Sequence, residues 1–190
     1  NQPSMFALRK QVELGKRYFM ERFGYFPRVA YNVDSFGHAA TLPELMRSAG
    51  QDCYVMLRPQ DFELTLPAKI FRWRGYEGGP EVVVFRLSGS YCTPQGIKLE
   101  HLEKSLTQLP EGIEETMCFA GIGDHGGGPT EEIIQWCRDH REAVKDARLE
   151  FSTPQRFFER ILGQRERLPL VTGDLQYHAA ARRAAGQAEE

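Results

Sequence analysis

The chain has 190 residues, with 24 Lys and Arg against 26 Asp and Glu and a formal net charge of −2. That length suits one ordinary domain, able to bury roughly 70% of its unfolded surface without staples; 41% hydrophobic and 26% charged residues argue against disorder and against a fibrous protein. The balanced charge, with no basic stripe, argues against nucleic acid as the main partner, and no apolar run nears the ~18 residues of a membrane span. Ser4 can cap a first helix, in which Leu8, Val12, Phe19 and Phe23 share a face before Gly24 closes it. Val29, Tyr31 and Val33 alternate as a strand ending at Asp34. Thr41 to Glu44 has the spacing of a capping box for a short helix stopping at Gly50. Strands follow at 53–57, 69–73 and 81–87, the last two joined through the turn Glu77-Gly78-Gly79-Pro80.

Residues 98–109 have a helical period, and 117–122 read as a short apolar strand. Thr130 caps the next helix, with Glu131 and Glu132 in its first turn. A strand at 149–151, a helix opened by Thr153-Pro154 and a strand at 168–172 complete the series. Alternating strands and helices predict an α/β fold with a mainly parallel sheet. Residues 179–190 hold six alanines without an apolar stripe and read as a frayed or disordered tail. The cysteines at 53, 92, 118 and 137 contain no Cys-x-x-Cys pair, and three lie in apolar stretches. Reduced thiols, and hence the cytoplasm, are expected.

Chemistry is expected where strands end, because the carboxyl ends of parallel strands hold active sites in such folds. Asp34 closes one strand and Asp124 follows another, within a loop carrying four glycines in the six residues from Gly123 to Gly128. Two carboxylates suffice for glycoside hydrolysis, one attacking or stabilising and one moving a proton; an Asp or His beside a metal serves metal-assisted hydrolysis equally. By position alone Asp34 fits a helix cap as well as a catalytic group. The glycine-rich loop lacks the nucleotide-binding patterns. His101 and His140, among charged neighbours, read as solvated surface histidines, whereas His38 and His125 sit beside the candidate acids.

The run Val33-Asp34-Ser35-Phe36-Gly37-His38, followed by Leu42-Pro43-Glu44-Leu45 and Gly50, resembles the Asp-x-Phe-Gly-His signature of glycoside hydrolase family 38, the retaining α-mannosidases. Gly15 to Phe19, Phe71 to Gly75, Gly123 to Thr130 and Leu168 to Leu175 resemble further family segments in the right order, from about Ser4 to His178. The resemblance implies that residues 1–178 are the central part of a partial, irregular (β/α) barrel. It implies that Asp34 is both nucleophile and zinc ligand, and that a zinc ion grips two sugar hydroxyls. Asp124 would hold the proton for the leaving oxygen, with His125 in reserve. Arg58, Phe36 and His38 would bind the substrate, a mannoside or oligosaccharide.

The departures are equally specific. The family's His-x-Asp pair of zinc ligands is absent from the chain, as is a further downstream histidine ligand. One ligand of four cannot hold zinc tightly, since catalytic sites use three protein ligands. The reading is therefore an internal piece of an α-mannosidase-like domain, inactive alone, that associates with itself or needs the rest of its polypeptide. Two alternatives stand beside it: a truncated domain that binds sugars or partners without catalysis, and an unrelated metal-dependent hydrolase with a histidine cluster converging on Asp34.

Overall fold

The computed structural model describes residues 4–123 and 126–176. The expected tail and the candidates Asp124 and His125 lie outside the described residues. Five strands form one sheet, β1 (Val29–Asn32), β2 (Cys53–Met56), β3 (Ile70–Arg74), β4 (Glu81–Arg86) and β5 (Leu170–Thr172), in the order β1-β2-β4-β3-β5. The pairs β1–β2, β2–β4 and β3–β5 are parallel, and β3–β4 is antiparallel. The expected α/β architecture with a mainly parallel sheet is present. The glycine turn after β3 makes a hairpin, so β4 returns to pair with β2 while β3 moves one place outward.

Every residue of β2 is buried, as are all of β4 except Glu81. A sheet covered on both faces reads as continuous apolar sequence, because neither set of alternating side chains meets water. Cys53, Val55, Val83 and Phe85 point to one face, where Phe157, Phe158 and Ile161 of α5 (Pro154–Leu162) cover them. Tyr54, Met56, Val82 and Val84 point to the other, beneath Leu42, Leu45 and Met46 of α2 (Leu42–Ser48). The first helix, α1 (Met5–Phe23), adds half-buried Met5, Leu8 and Val12 to that layer but buries no residue fully. Two further helices, α3 (Leu99–Ser105) and α4 (Glu131–Asp139), form a satellite core around Ile97, Leu102, Ile133 and Cys137.

The expected caps are present at α1, α4 and α5. Ser4, Thr130 and Thr153 each accept a backbone N–H three residues on, and Gly24 ends α1 in the left-handed region at φ 69°. The capping box at Thr41 is not made. Thr41 is helical itself, and the Glu44 carboxylate instead accepts from the Tyr76 hydroxyl at 2.9 Å. Segment 117–122 is not a strand: its Gly121 carbonyl and amide are taken by the Thr93 amide and hydroxyl, at 2.7 and 3.1 Å. Segment 149–151 is also not a strand, with Phe151 55% exposed and no ladder partner. The helix expected at 98–109 stops at Ser105, short of Gln108 with its positive φ.

All four cysteines are free, Cys53 and Cys137 buried and Cys92 and Cys118 half-buried. At the edge where β3 ends and β4 begins, Arg74, Arg165 and Arg72 converge on Glu81, the last two at 3.3 and 3.5 Å. Burial works against the ionised Glu81, but the three guanidinium groups hold its pKa below the usual carboxylate range.

Two glycines make opposite demands. A Cβ on Gly75, just after β3, would lie 1.6 Å from the Ala40 carbonyl oxygen, so Gly75→Ala must push the β3 end off the segment before α2. A Cβ on Gly15, inside α1, meets nothing within 4 Å. Urea unfolding should show Gly75→Ala losing at least about 2 kcal/mol and Gly15→Ala gaining about 0.5–1 kcal/mol.

Candidate active site

The carboxyl ends of β1, β2 and β4 share one edge of the sheet, and the candidate residues leave from there. Asp34 lies two residues beyond β1, where the Ser35 hydroxyl donates to the Asn32 side-chain oxygen at 2.7 Å and tightens the turn. Arg58 lies two residues beyond β2. Its Nε donates to Asp34 Oδ1 at 3.1 Å, and its guanidinium carbon lies 4.5 Å from the centre of the Phe36 ring. The Asp34 side chain is 54% exposed, while Arg58 is 28% exposed. Phe36 is 66% exposed. The structure therefore brings Asp34, Arg58 and Phe36 together as an open carboxylate held at one oxygen by a cation that itself rests on an aromatic face. Asp34 Oδ2 has no partner among the described residues.

His38 is placed differently. It is 0% exposed, inside the core. Its Nε2 lies 2.6 Å from the Arg58 carbonyl oxygen and its Nδ1 2.8 Å from the Tyr54 hydroxyl. A carbonyl oxygen only accepts, so Nε2 carries the proton; Nδ1 then accepts from Tyr54 O–H. Burial keeps the Tyr54 phenol above its ordinary range, so that proton stays on the hydroxyl. Burial also lowers the His38 pKa from 6.5 to about 4, against the opposing pull of the Arg58 carbonyl. The indole of Trp73 stacks on Tyr54 and closes the pocket, while its Nε1 donates to the Gly173 carbonyl. The main chain of His38 pairs with Leu175 in both directions. His38 thus spends both ring nitrogens on the protein and does not converge on Asp34, as a metal-hydrolase cluster would require.

The glycine-rich loop is closed at its base. The Ile122 amide donates to the Gly128 carbonyl at 2.9 Å, and a Cβ on Gly127 would lie 1.8 Å from the Ile122 oxygen. Gly123 and Gly127 are glycines because the two legs of the loop touch backbone to backbone. His101 and His140 are half-buried rather than solvated. Nδ1 of His101 accepts the Lys98 amide at the start of α3, and His140 stacks on Trp136 with ring centroids 4.1 Å apart.

Sequence reasoning missed Tyr54 and Arg86. Arg86, 2% exposed at the end of β4, pairs with Asp61 and donates to the carbonyls of Leu64 and Pro59 at 2.8 and 3.3 Å. A charged residue closing the apolar run 82–85 was the available signal. Among the described residues, no three His, Cys, Asp or Glu side chains could together hold a metal ion. With Asp34 Oδ1 facing a guanidinium, the described residues do not make a zinc site on their own.

The mostly parallel sheet places the exposed Asp34 carboxylate beyond a strand end, at the edge where open α/β sheets bind ligands. The model of the glycosyl hydrolases family 38 N-terminal domain matches residues 1–179, and the chain belongs to this family. It is 28% identical over 178 residues to Alpha-mannosidase G of Dictyostelium discoideum, covering 93% of this chain and 16% of that one. It is 27% identical over 177 residues to human Alpha-mannosidase 2C1, covering 92% and 17%. The crystal structure of an alpha-mannosidase from Enterococcus faecalis V583 superposes with a TM-score of 0.70 over 90% of this chain and 20% of that one; at 14% identity this is a likeness of fold. The chain spans about one sixth of the length of these curated relatives.

His38 makes stability depend on pH. Below 6.5 the unfolded chain takes up a proton that the buried ring refuses until about 4. Stability from this group is therefore intact above 6.5 and falls as pH drops to about 4, by about 3 kcal/mol in all. Urea titrations from pH 7 to pH 4 should show this loss in the native chain, and a flatter dependence in His38→Gln.

Proposed function

We propose that this chain is the central part of the catalytic barrel of a retaining, zinc-dependent α-mannosidase that hydrolyses terminal α-mannosides. The observation that carries the reading is Asp34: an open carboxylate beyond β1, with Oδ1 held by Arg58 and Oδ2 without a partner among the described residues, in a chain of glycosyl hydrolases family 38. In this reading Oδ2 of Asp34 attacks the anomeric carbon as the glycosidic bond breaks, and the departing oxygen takes a proton from Asp124, with His125 the other candidate. Water deprotonated by the same group then displaces the sugar from Asp34. Arg58 orients the carboxylate, and the open face of Phe36 suits the apolar face of a sugar ring. Asp34 would be one ligand of a zinc ion whose set other parts of a longer polypeptide would have to complete, and such an ion would supply electrostatic stabilisation at the sugar hydroxyls. The four free thiols support a reducing compartment, and we place the protein in the cytoplasm.

Calorimetry on the 190-residue chain should show no tight, stoichiometric zinc binding, and an aryl α-mannoside assay no turnover. In a longer polypeptide carrying this segment, Asp34→Asn should lower kcat at least roughly a thousandfold and weaken zinc binding. Full activity in Asp34→Asn would sink the assignment of the nucleophile. Tight zinc binding by the short chain that Asp34→Asn abolishes would instead make the site complete as it stands. Absence of both zinc binding and turnover in the longer polypeptide would favour the non-catalytic sugar-binding alternative.

Association with a second copy, or with the rest of a longer chain, is part of the same proposal. It is supported by the aromatic group at the end of α1, where Tyr18, Phe23 and Tyr25 are 54%, 59% and 49% exposed. Light scattering on the isolated chain should show species larger than a monomer; a stable, compact monomer would count against this.

A further inference from the structure

Two consecutive carbonyls, those of Arg58 and Pro59, are each held by a buried donor from a different element. His38 Nε2–H takes the first at 2.6 Å, and Arg86 Nη1 takes the second at 3.3 Å. His38 is 0% exposed and Arg86 is 2% exposed, so neither reaches a ligand at the open edge of the sheet. The Arg58 side chain extends from this doubly held stretch of main chain. That side chain must meet two demands at once, a hydrogen bond to Asp34 Oδ1 and a seat over the Phe36 ring.

We propose that His38 and Arg86 are positioning residues: an inner clamp on the Arg58–Pro59 main chain that aims the Arg58 guanidinium, and through it the Asp34 carboxylate. His38 serves because a buried neutral imidazole offers one donor and one acceptor at fixed geometry. Tyr54 fills the acceptor at 2.8 Å, which leaves the donor aimed at the carbonyl. Arg86 serves because one guanidinium spans several acceptors. Besides Pro59 it binds the Leu64 carbonyl at 2.8 Å and the Asp61 carboxylate, drawing residues 59–64 into one ordered turn. With its main chain held, Arg58 has fewer positions from which to reach Asp34, so less freedom is left to lose when the pair forms. The functional consequence rests on the reading of Asp34 as the attacking carboxylate; the clamp itself does not.

The test is made on the 190-residue chain labelled with 15N-arginine. The Arg58 Nε–H resonance is assigned from its loss in Arg58→Lys, and its exchange with solvent is compared with that of Arg72 Nε–H, which donates to the Leu168 carbonyl at 3.2 Å elsewhere in the sheet. His38→Leu should speed exchange at Arg58 at least tenfold and leave Arg72 unchanged. His38→Gln, whose amide can still donate to the Arg58 carbonyl, should restore protection. Arg86→Met, which keeps length without the donors, should release Arg58 in the same way and serves where His38→Leu does not fold. Unchanged Arg58 exchange in folded His38→Leu or Arg86→Met overturns the proposal. So does equal acceleration at Arg58 and Arg72, which would mean general loosening. No turnover enters the readout, so the clamp and the assignment of Asp34 can fail separately.

Discussion

A single imidazole in the core, donating to one backbone oxygen and accepting from one phenol, is the contact on which the candidate site depends. His38 joins three stretches of the chain: the link from β1 to α2 that carries it, β2 and the residues just after it through Tyr54 and Arg58, and Leu175 through its own main chain. Its burial is costly only if the ring must charge, and burial itself keeps the ring neutral. A buried polar network is stabilising when every member is satisfied, and here both ring nitrogens are. The surface group of Asp34, Arg58 and Phe36 is built on that satisfied interior.

The sheet divides its work between two edges. At the carboxyl ends of β1, β2 and β4 the charged groups include an exposed carboxylate with an oxygen to spare. At the opposite edge Glu81 is enclosed by three arginines with its charge spent on structure. The difference is accessibility: the Glu81 side chain is 12% exposed and that of Asp34 is 54% exposed. A carboxylate surrounded by guanidinium groups and main chain stabilises strand ends. One held at a single oxygen and open to solvent can approach a ligand.

Features that depend on near neighbours were legible in the residues. The caps at Ser4, Thr130 and Thr153 form because a short hydroxyl reaches an amide three residues on, whatever the rest of the chain does. The apolar runs of β2 and β4 became the covered centre of the sheet. Thr41 had the same local signal, but its helix packs so that Glu44 meets Tyr76, 32 positions away, and the local box is not formed. Segments 117–122 and 149–151 have strand-like composition, yet a strand exists only where a neighbouring strand takes its hydrogen bonds, and none does among the described residues.

The same line runs through the site. Asp34, Phe36 and His38 stand in one short motif, so the amino-acid sequence alone determined where the candidate residues cluster, after β1, and which family the chain resembles. It also determined which runs are apolar enough to form a covered sheet. Only the tertiary structure decided that β4 rather than β3 lies beside β2, that His38 faces inward, and that Tyr54 and Arg86 are the groups behind Arg58. Those choices depend on contacts between residues 16 to 30 positions apart, such as His38 with Tyr54, Pro59 with Arg86 and Cys53 with Val83. Periodicity and motif spacing carry no record of which buried donor finds which distant acceptor; packing settles that, because each buried polar group must find its partner within the one arrangement that also closes the core.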